Sequence, residues 1–154
     1  MHATYLLYIA AVALAVLMAV PHQAIGQCTF DSTVGVSFGS YSSFSSAHNE
    51  STGSITYTCL NQLTSITIDL SQGSALSYNP RQMQKGADTL AYNLYRDAAR
   101  TSIWGDGSDG SSSYGPILPP SGTPVVVPIY GRIPARQNIR IGTYTDTVTV
   151  TINY

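Results

Sequence analysis

The chain has 154 residues and few charges, with seven Lys and Arg, eight Asp and Glu, and a formal net charge of −1. The charges are scattered, so nothing favours nucleic acid as a partner. After residue 26 there is one histidine, His48, and one glutamate, Glu50, both in a Ser-rich turn. No catalytic motif or set of metal ligands accompanies them, and Asp106 and Asp109 lack the rest of a calcium loop. We therefore predict that the protein is not an enzyme and has no cofactor or metal ion.

Residues 1–26 are predicted to be a signal peptide. Residues 4–20 are almost entirely apolar, Pro21 ends the run, and small residues lead to a cleavage site between Gly26 and Gln27. This order is typical of a secretory signal peptide. The alternative is a single membrane anchor, because the run is close to the roughly 20 residues that span a bilayer. Cleavage would leave one domain, residues 27–154, without stable membrane insertion.

Apolar residues alternate with small or polar ones along the rest of the chain, and helical periodicity is nearly absent. This pattern predicts six half-buried strands in two packed antiparallel sheets. The alternating segments are residues 34–38, 55–59, 66–70, 90–94, 125–129 and 148–154. Between them, residues 105–122 are rich in Gly, Ser and Pro and predict a long mobile loop, and residues 82–88 fit a short helical turn.

Cys28 and Cys59 are the only cysteines of the chain. In an oxidising compartment a disulfide is the expected state, and two free buried thiols are the alternative. If the first two strands are antiparallel neighbours, the start of one lies beside the end of the other, where these cysteines meet. In the chain-entropy model the bridge stabilises the fold by roughly 3–4 kcal/mol.

The final strand, residues 142–154, has the strongest strand pattern in the chain. A seven-stranded sandwich needs one strand more than the six predicted, and no segment follows to pair with the free side of this one. A long apolar edge invites aggregation unless it is blunted or covered. This edge carries neither Lys nor Pro, so we expect another polypeptide to cover it.

Several motifs occur in a fixed order between residue 28 and residue 154. The C-terminal pair is YGRIPARQ at residues 130–137 and GTYTDTVTVTI at residues 142–152. Earlier motifs are Cys28, VSFGSY at 36–41, GSITYTC at 53–59, LAYNLYRD at 90–97 and WGD at 104–106. Together they resemble the spore coat protein U domain family, which includes the subunits of archaic chaperone–usher pili.

The resemblance implies an immunoglobulin-like antiparallel β-sandwich that lacks its final strand. A periplasmic chaperone, and then a neighbouring pilus or coat subunit at an outer-membrane usher, would supply that strand by β-augmentation. The acceptor groove would be lined by Val34, Val36 and Phe38 on one side and by Val148, Val150 and Ile152 on the other. The alternative is that these six are ordinary core residues of a closed sandwich. The implied route is secretion through the periplasm to the cell surface, a pilus or a spore coat.

The N-terminus differs from that of polymerising subunits, which carry a donor strand before the first cysteine. After the expected cleavage only Gln27 precedes Cys28, whereas a strand needs about five residues or more. We therefore expect the chain to accept a strand but not to donate one, either at a fibre tip or as a stand-alone coat protein.

A second function remains open, that of a secreted glycan- or surface-binding adhesin module with a closed sandwich. Trp104 and Tyr114 flank the Gly- and Ser-rich loop, and exposed aromatic rings stack on sugars. The alternatives are that Trp104 caps the core and that Tyr114 is an ordinary loop residue.

Overall fold

A computed structural model describes residues 26–61 and 64–154. Eight strands form in these ranges: β1 Gln27–Val34, β2 Asn49–Leu60, β3 Ile66–Leu70, β4 Arg81–Lys85, β5 Asp88–Tyr95, β6 Tyr114–Ile117, β7 Val125–Ile133 and β8 Val150–Asn153. The described residues contain no helix, and therefore none that is long and apolar enough to cross a membrane. The predicted signal peptide lies outside the described residues, apart from Gly26.

The strands form two sheets that pack face to face. The larger sheet has the order β1-β2-β7-β5-β4 and the smaller one β6-β3-β8, and every pair of neighbouring strands is antiparallel. The shared core is built from the inward positions of β2, β3, β5 and β7, namely Ile55, Tyr57, Cys59, Ile66, Ile68, Leu70, Leu90, Tyr92, Leu94, Val127, Ile129 and Ile133. The predicted antiparallel β-sandwich is thus confirmed, because alternation along these four strands buries one face of each.

The disulfide joins the two strands that were expected to carry it. Cys28 of β1 lies directly opposite Cys59 of β2 in the antiparallel ladder, and the two are bonded. Cys59 is fully buried in the core. The bridge therefore ties the outer strand of the large sheet to its neighbour at the point where the described chain begins.

Two segments that were expected to be irregular contain strands. The helical turn predicted at residues 82–88 is wrong, since β4 and β5 form a hairpin around Gly86, whose φ is +59°. The predicted loop at residues 105–122 contains β6, which pairs with β3. Neither β4 nor β6 has a strong apolar alternation of its own, and each forms because a neighbouring strand supplies its hydrogen bonds.

The first predicted strand, residues 34–38, is wrong in its extent. The β1–β2 ladder ends at Val34, which pairs with the outward position Ser54 and is 61% exposed. The chain then passes over the inner face of the sheet at two glycines. A Cβ on Gly53 would overlap the carbonyl oxygen of Val34, and a Cβ on Gly131 would lie 2.6 Å from Val36 Cγ1. These glycines make room for the segment between the sheets.

The C-terminal segment changes sheets along its length. Thr145 exchanges backbone hydrogen bonds with Gln84 of β4, at 2.8 and 3.1 Å, on the edge of the large sheet. Regular strand structure begins at Val150, where β8 joins β3 of the small sheet. β8 is the last strand of its sheet, so within the described residues its outer flank has no strand partner.

Candidate functional site

An apolar groove of about 690 Å³ lies between the two sheets. One side, here the N-terminal wall, comprises Thr33 and residues 35–41, and the other, the C-terminal wall, comprises residues 143–150. The floor between them is formed by Leu70, Met83, Leu90, Tyr92, Leu94, Ile129 and Ile133. The floor therefore belongs to the shared core, and it is left uncovered because no strand of the described chain lies between the two walls.

Both walls retain backbone groups that no strand of the described chain uses. Among the described residues, 35–41 make no backbone-to-backbone hydrogen bond. Side chains of β2 hold this wall instead, since Ser51 Oγ donates to the carbonyl of Ser37 at 2.6 Å and Asn49 Nδ2 donates to that of Phe38 at 3.1 Å. On the C-terminal wall, backbone pairing within the described residues is confined to Thr145, Thr149 and the last residue, Val150, which lies opposite Leu70 at the start of β8. Each wall thus has the unpaired edge that an added strand requires.

The inward side chains of the walls continue the apolar floor. On the N-terminal wall Val36 and Phe38 are half-buried against the core, and Phe38 meets Tyr92 edge-to-face with ring centroids 6.1 Å apart. On the C-terminal wall exposed threonines alternate with half-buried residues at positions 144, 146, 148 and 150. A chain in the groove would therefore meet apolar side chains below it and backbone edges beside it.

The structure brings together four of the six side chains that the resemblance assigned to an acceptor groove. Val36, Phe38, Val148 and Val150 line the cavity, whereas Val34 and Ile152 do not. Val34 faces outward, and Ile152 lies opposite Ile68 in the β3–β8 ladder. Strand binding by these residues stays a prediction. Tyr144 and Asp146 also line the cavity. Neither was predicted, although the period-two pattern of residues 148–154 extends back to both.

Trp104 does not lie at the surface, which corrects its interpretation as a possible ligand contact. Its side chain is fully buried and its Nε1 donates to the carbonyl of Ile68 at 2.8 Å. Tyr114 is half-buried with its ring centroid 5.5 Å from that of Trp104. The Gly-rich sequence around Trp104 did not indicate that the side chain is buried. The residues that Trp104 contacts are Ile68 on β3, more than 30 residues earlier, and Leu94 on β5, about 10 residues earlier.

Among the described residues, Asp146 is the one charged group that lines the groove. Its Oδ1 accepts hydrogen bonds from Ser74 N at 2.8 Å and Ser74 Oγ at 2.7 Å, and its Oδ2 accepts one from the Tyr92 hydroxyl at 2.6 Å. Burial, and after it the hydrogen bond to Asp146, raises the pKa of Tyr92. Tyr92 therefore stays protonated and donates to the carboxylate.

His48 and Glu50 have ordinary structural partners, and Glu50 lies in β2 and not in the predicted turn. Glu50 forms ion pairs with Arg100 at 3.1 Å and Arg132 at 2.8 Å, and His48 Nδ1 accepts a hydrogen bond from Ala135 N at 3.4 Å. In the part of the chain that the structure describes, no three potential metal ligands come together. The groove is therefore the candidate functional site, and its apolar floor and unpaired backbone edges suit an extended peptide.

Known proteins with similar sequences belong to the family that the sequence motifs resemble. The model of the Spore Coat Protein U domain matches residues 14–151. The chain is 37% identical over 111 residues to Protein U of Myxococcus xanthus, a match that covers 67% of this chain and spans 59% of that protein.

A solved structure shares the fold, with a TM-score of 0.60 at 22% identity over 84% of this chain and 40% of the other. It is the crystal structure of the CsuC–CsuE chaperone–tip adhesion subunit pre-assembly complex from archaic chaperone–usher Csu pili of Acinetobacter baumannii. The fold is accordingly the immunoglobulin-like sandwich of such subunits. With its family model matched over nearly all of the described residues, the chain belongs to the Spore Coat Protein U domain family.

Proposed function

We propose that this chain is a secreted structural subunit of a pilus-like fibre or of a spore or cell-surface coat, and that it accepts a strand from another polypeptide. The observation that carries the proposal is the open groove, with an apolar floor and unpaired backbone along both walls. An extended segment in this position would form main-chain hydrogen bonds at its sides and place every second side chain on the floor.

The partners follow from this chemistry and from the relatives. A periplasmic chaperone would occupy the groove first, and a neighbouring pilus or coat subunit would replace it at an outer-membrane usher. The similarity to a chain of a chaperone–subunit pre-assembly complex supports the chaperone step. The protein would then pass through the periplasm to the cell surface, a pilus or a spore coat.

An acceptor-only role, at a fibre tip or in a stand-alone coat, requires that less than the length of a donor strand precede Cys28 in the mature protein. N-terminal sequencing of the secreted protein tests this requirement. We expect Gln27 as the first residue, and a start at or before Met18 would contradict the role, because a strand's length would then precede the cysteine.

The competing function, a glycan- or surface-binding module with a closed sandwich, has lost one of its two candidate contact residues, because Trp104 is fully buried while Tyr114 is half-buried. It predicts a monomer that is stable by itself and is retained on a glycan array. A subunit that needs a strand instead co-purifies with its chaperone and is unstable alone.

The direct test is strand binding by the purified protein. The probe is a peptide of alternating Val and Thr, about nine residues or roughly 30 Å long when extended, with Lys at both ends for solubility. At about 100 times its Kd it should raise Tm by about 10 °C. A peptide of the same length without Val should not, since it leaves the floor exposed. High stability that the peptide does not change would contradict the proposal.

Matched variants locate the binding site. Val148→Asp places a charge on the groove wall and should abolish the peptide-dependent shift in Tm. Val34→Asp makes the same chemical change outside the groove, at a side chain that is 61% exposed, and should leave the shift intact. Equal effects of the two substitutions would place the peptide elsewhere on the protein.

A further inference from the structure

The C-terminal wall of the groove carries one residue that breaks its inward apolar pattern. Tyr144, Val148 and Val150 are the expected aromatic and aliphatic groups, but Asp146 places a carboxylate among them. A half-buried charge beside an apolar floor is unfavourable unless hydrogen bonds compensate it. The position of Asp146 therefore requires an explanation in terms of its partners.

The carboxylate of Asp146 is fully engaged on both oxygens. Oδ1 accepts from Ser74 N and Oγ, at 2.8 and 2.7 Å, and from Thr147 N at 2.8 Å, while Oδ2 accepts from the Tyr92 hydroxyl at 2.6 Å. Hydrogen bonds to an ionised acceptor are roughly twice as strong as neutral ones. Gly73, with φ +74°, lies so close that a Cβ there would be 2.9 Å from Asp146 Cγ. The Gly73–Ser74 turn is thus shaped around the carboxylate.

These contacts attach the C-terminal wall to the groove floor, whereas its other hydrogen bonds run to the sheet edges or stay within the segment. Thr145 and Thr149 hold the wall to the sheet edges through Gln84 and Ser71. The Tyr144 hydroxyl donates to the carbonyl of Arg140, four residues away on the same segment. Among the described residues of the C-terminal wall, Asp146 is the side chain that hydrogen-bonds to the groove floor.

From this arrangement we infer that Asp146 is a positioning residue, which holds the C-terminal wall at the distance from the floor that an incoming strand needs. The inference rests on the proposed function. Without the carboxylate, Tyr144 and Val148 are free to settle onto the floor and bury apolar surface. A strand must then displace them, and its apparent affinity falls with the fraction of molecules whose groove is open.

The test measures the affinity of the full mature protein for the Val–Thr peptide, together with amide hydrogen exchange at residues 143–149. Asp146→Ala removes the carboxylate and should weaken binding by about tenfold, which corresponds to about 1.4 kcal/mol of lost preorganisation. Ser74→Ala changes a residue that does not line the groove, and it should weaken binding by about threefold. Both variants should exchange faster at residues 143–149.

Asp97→Ala is the matched control. Asp97 is also a turn carboxylate, which accepts from Thr101 N and Oγ1 and from Ser102 N at 2.7–3.1 Å, but it does not line the groove. It should lower Tm while leaving peptide affinity unchanged, which separates positioning from general stability.

Two outcomes overturn the inference. If the parent protein binds the peptide and Asp146→Ala binds it equally well, the wall needs no positioning residue and the inference alone fails. If the parent protein binds no strand at all, the proposed function fails and the inference fails with it.

Discussion

Arg81 of β4 is a fully buried cation in the core of the described chain. Its guanidinium donates to the carbonyls of Ser71, at 2.8 and 3.0 Å, and of Trp104 at 2.7 Å, and to Asn93 Oδ1 at 3.1 Å. It also lies over the ring of Tyr78, 5.0 Å from the centroid. Burial lowers the pKa of Arg81, but a guanidinium stays protonated in proteins. One side chain thus joins both sheets to the segment that carries Trp104.

Replacing Arg81 should show how much its buried hydrogen bonds stabilise the fold. Arg81→Met keeps the apolar stem but leaves the carbonyls of Ser71 and Trp104 without a donor, while Asn93 Oδ1 keeps only the hydrogen bond from Leu94 N. We therefore expect a loss of about 3 kcal/mol in the free energy of unfolding. Arg81→Lys should not restore it, because an ammonium cannot match the planar fork. Urea unfolding measures both.

Arg140→Met is the control for the Arg81 variants. The Arg140 side chain is 82% exposed, and its Nη1 lies 3.6 Å from Asp88 Oδ1. Loss of this ion pair should therefore change the free energy of unfolding by no more than about 0.5 kcal/mol. Similar losses at both positions would mean that the buried hydrogen bonds of Arg81 contribute little.

At the scale of the element, the N-terminal wall depends on a glycine of the strand beneath it. Gly131 of β7 faces inward, and a Cβ there would lie 2.6 Å from Val36 Cγ1 and 2.7 Å from Phe38 Cζ. Both contacts are shorter than carbon atoms tolerate, so a methyl group must displace the wall. The absence of a side chain on β7 therefore lets the chain leave the β1–β2 ladder and enter the space between the sheets.

Gly131→Ala should lower the free energy of unfolding by about 1–3 kcal/mol, the usual effect of overpacking a core. It should also weaken binding of the Val–Thr peptide, because Val36 and Phe38 are pushed into the groove. Chemical unfolding and peptide titration measure the two effects.

Gly35→Ala is the control, because it makes the same substitution on the N-terminal wall itself. Its Cβ meets no heavy atom within 4 Å, so we expect a change within about 0.5 kcal/mol. If Gly35→Ala destabilises as much as Gly131→Ala, backbone freedom rather than space would be the cause.

At the scale of the whole molecule, buried tyrosines make stability depend on alkaline pH. Burial, followed by the hydrogen bond to Asp106, raises the pKa of Tyr78 from 10.0 to about 12, and burial also raises the pKa values of Tyr57 and Tyr92. The folded state therefore retains protons that the unfolded chain has lost. The stability that these groups contribute is complete below pH 10 and is lost as pH rises through the folded pKa values.

Tyr78→Phe should flatten part of this dependence. Between pH 8 and pH 11.5 the parent protein should lose about 2 kcal/mol more of its free energy of unfolding than the variant does, as follows from the two pKa values of Tyr78. Urea unfolding at both pH values measures the difference. Equal losses would show that the Tyr78 hydroxyl ionises in the folded protein as readily as in the unfolded chain.

Period-two alternation alone predicts the sandwich, because it indicates that one face of each strand is buried. Residues 55–59, 66–70, 90–94 and 125–129 all lie in the core strands that this pattern predicted. The sequence also placed Cys28 opposite Cys59, since the ends of two antiparallel neighbours must meet. The order of its motifs was enough to indicate the family.

The residues that form the groove could not be predicted from the local sequence pattern, because long-range contacts select them. Val34, Val36 and Phe38 share one alternation in the sequence, yet a register shift between Phe30 and Ser32 places Val34 opposite the outward residue Ser54. Val36 and Phe38 come after the end of the ladder, where the chain turns inward over Gly131. Asp146 binds Ser74, 72 residues earlier, and Tyr92, 54 residues earlier. Such contacts join residues that are far apart in the sequence, so the alternation of neighbouring residues cannot predict them.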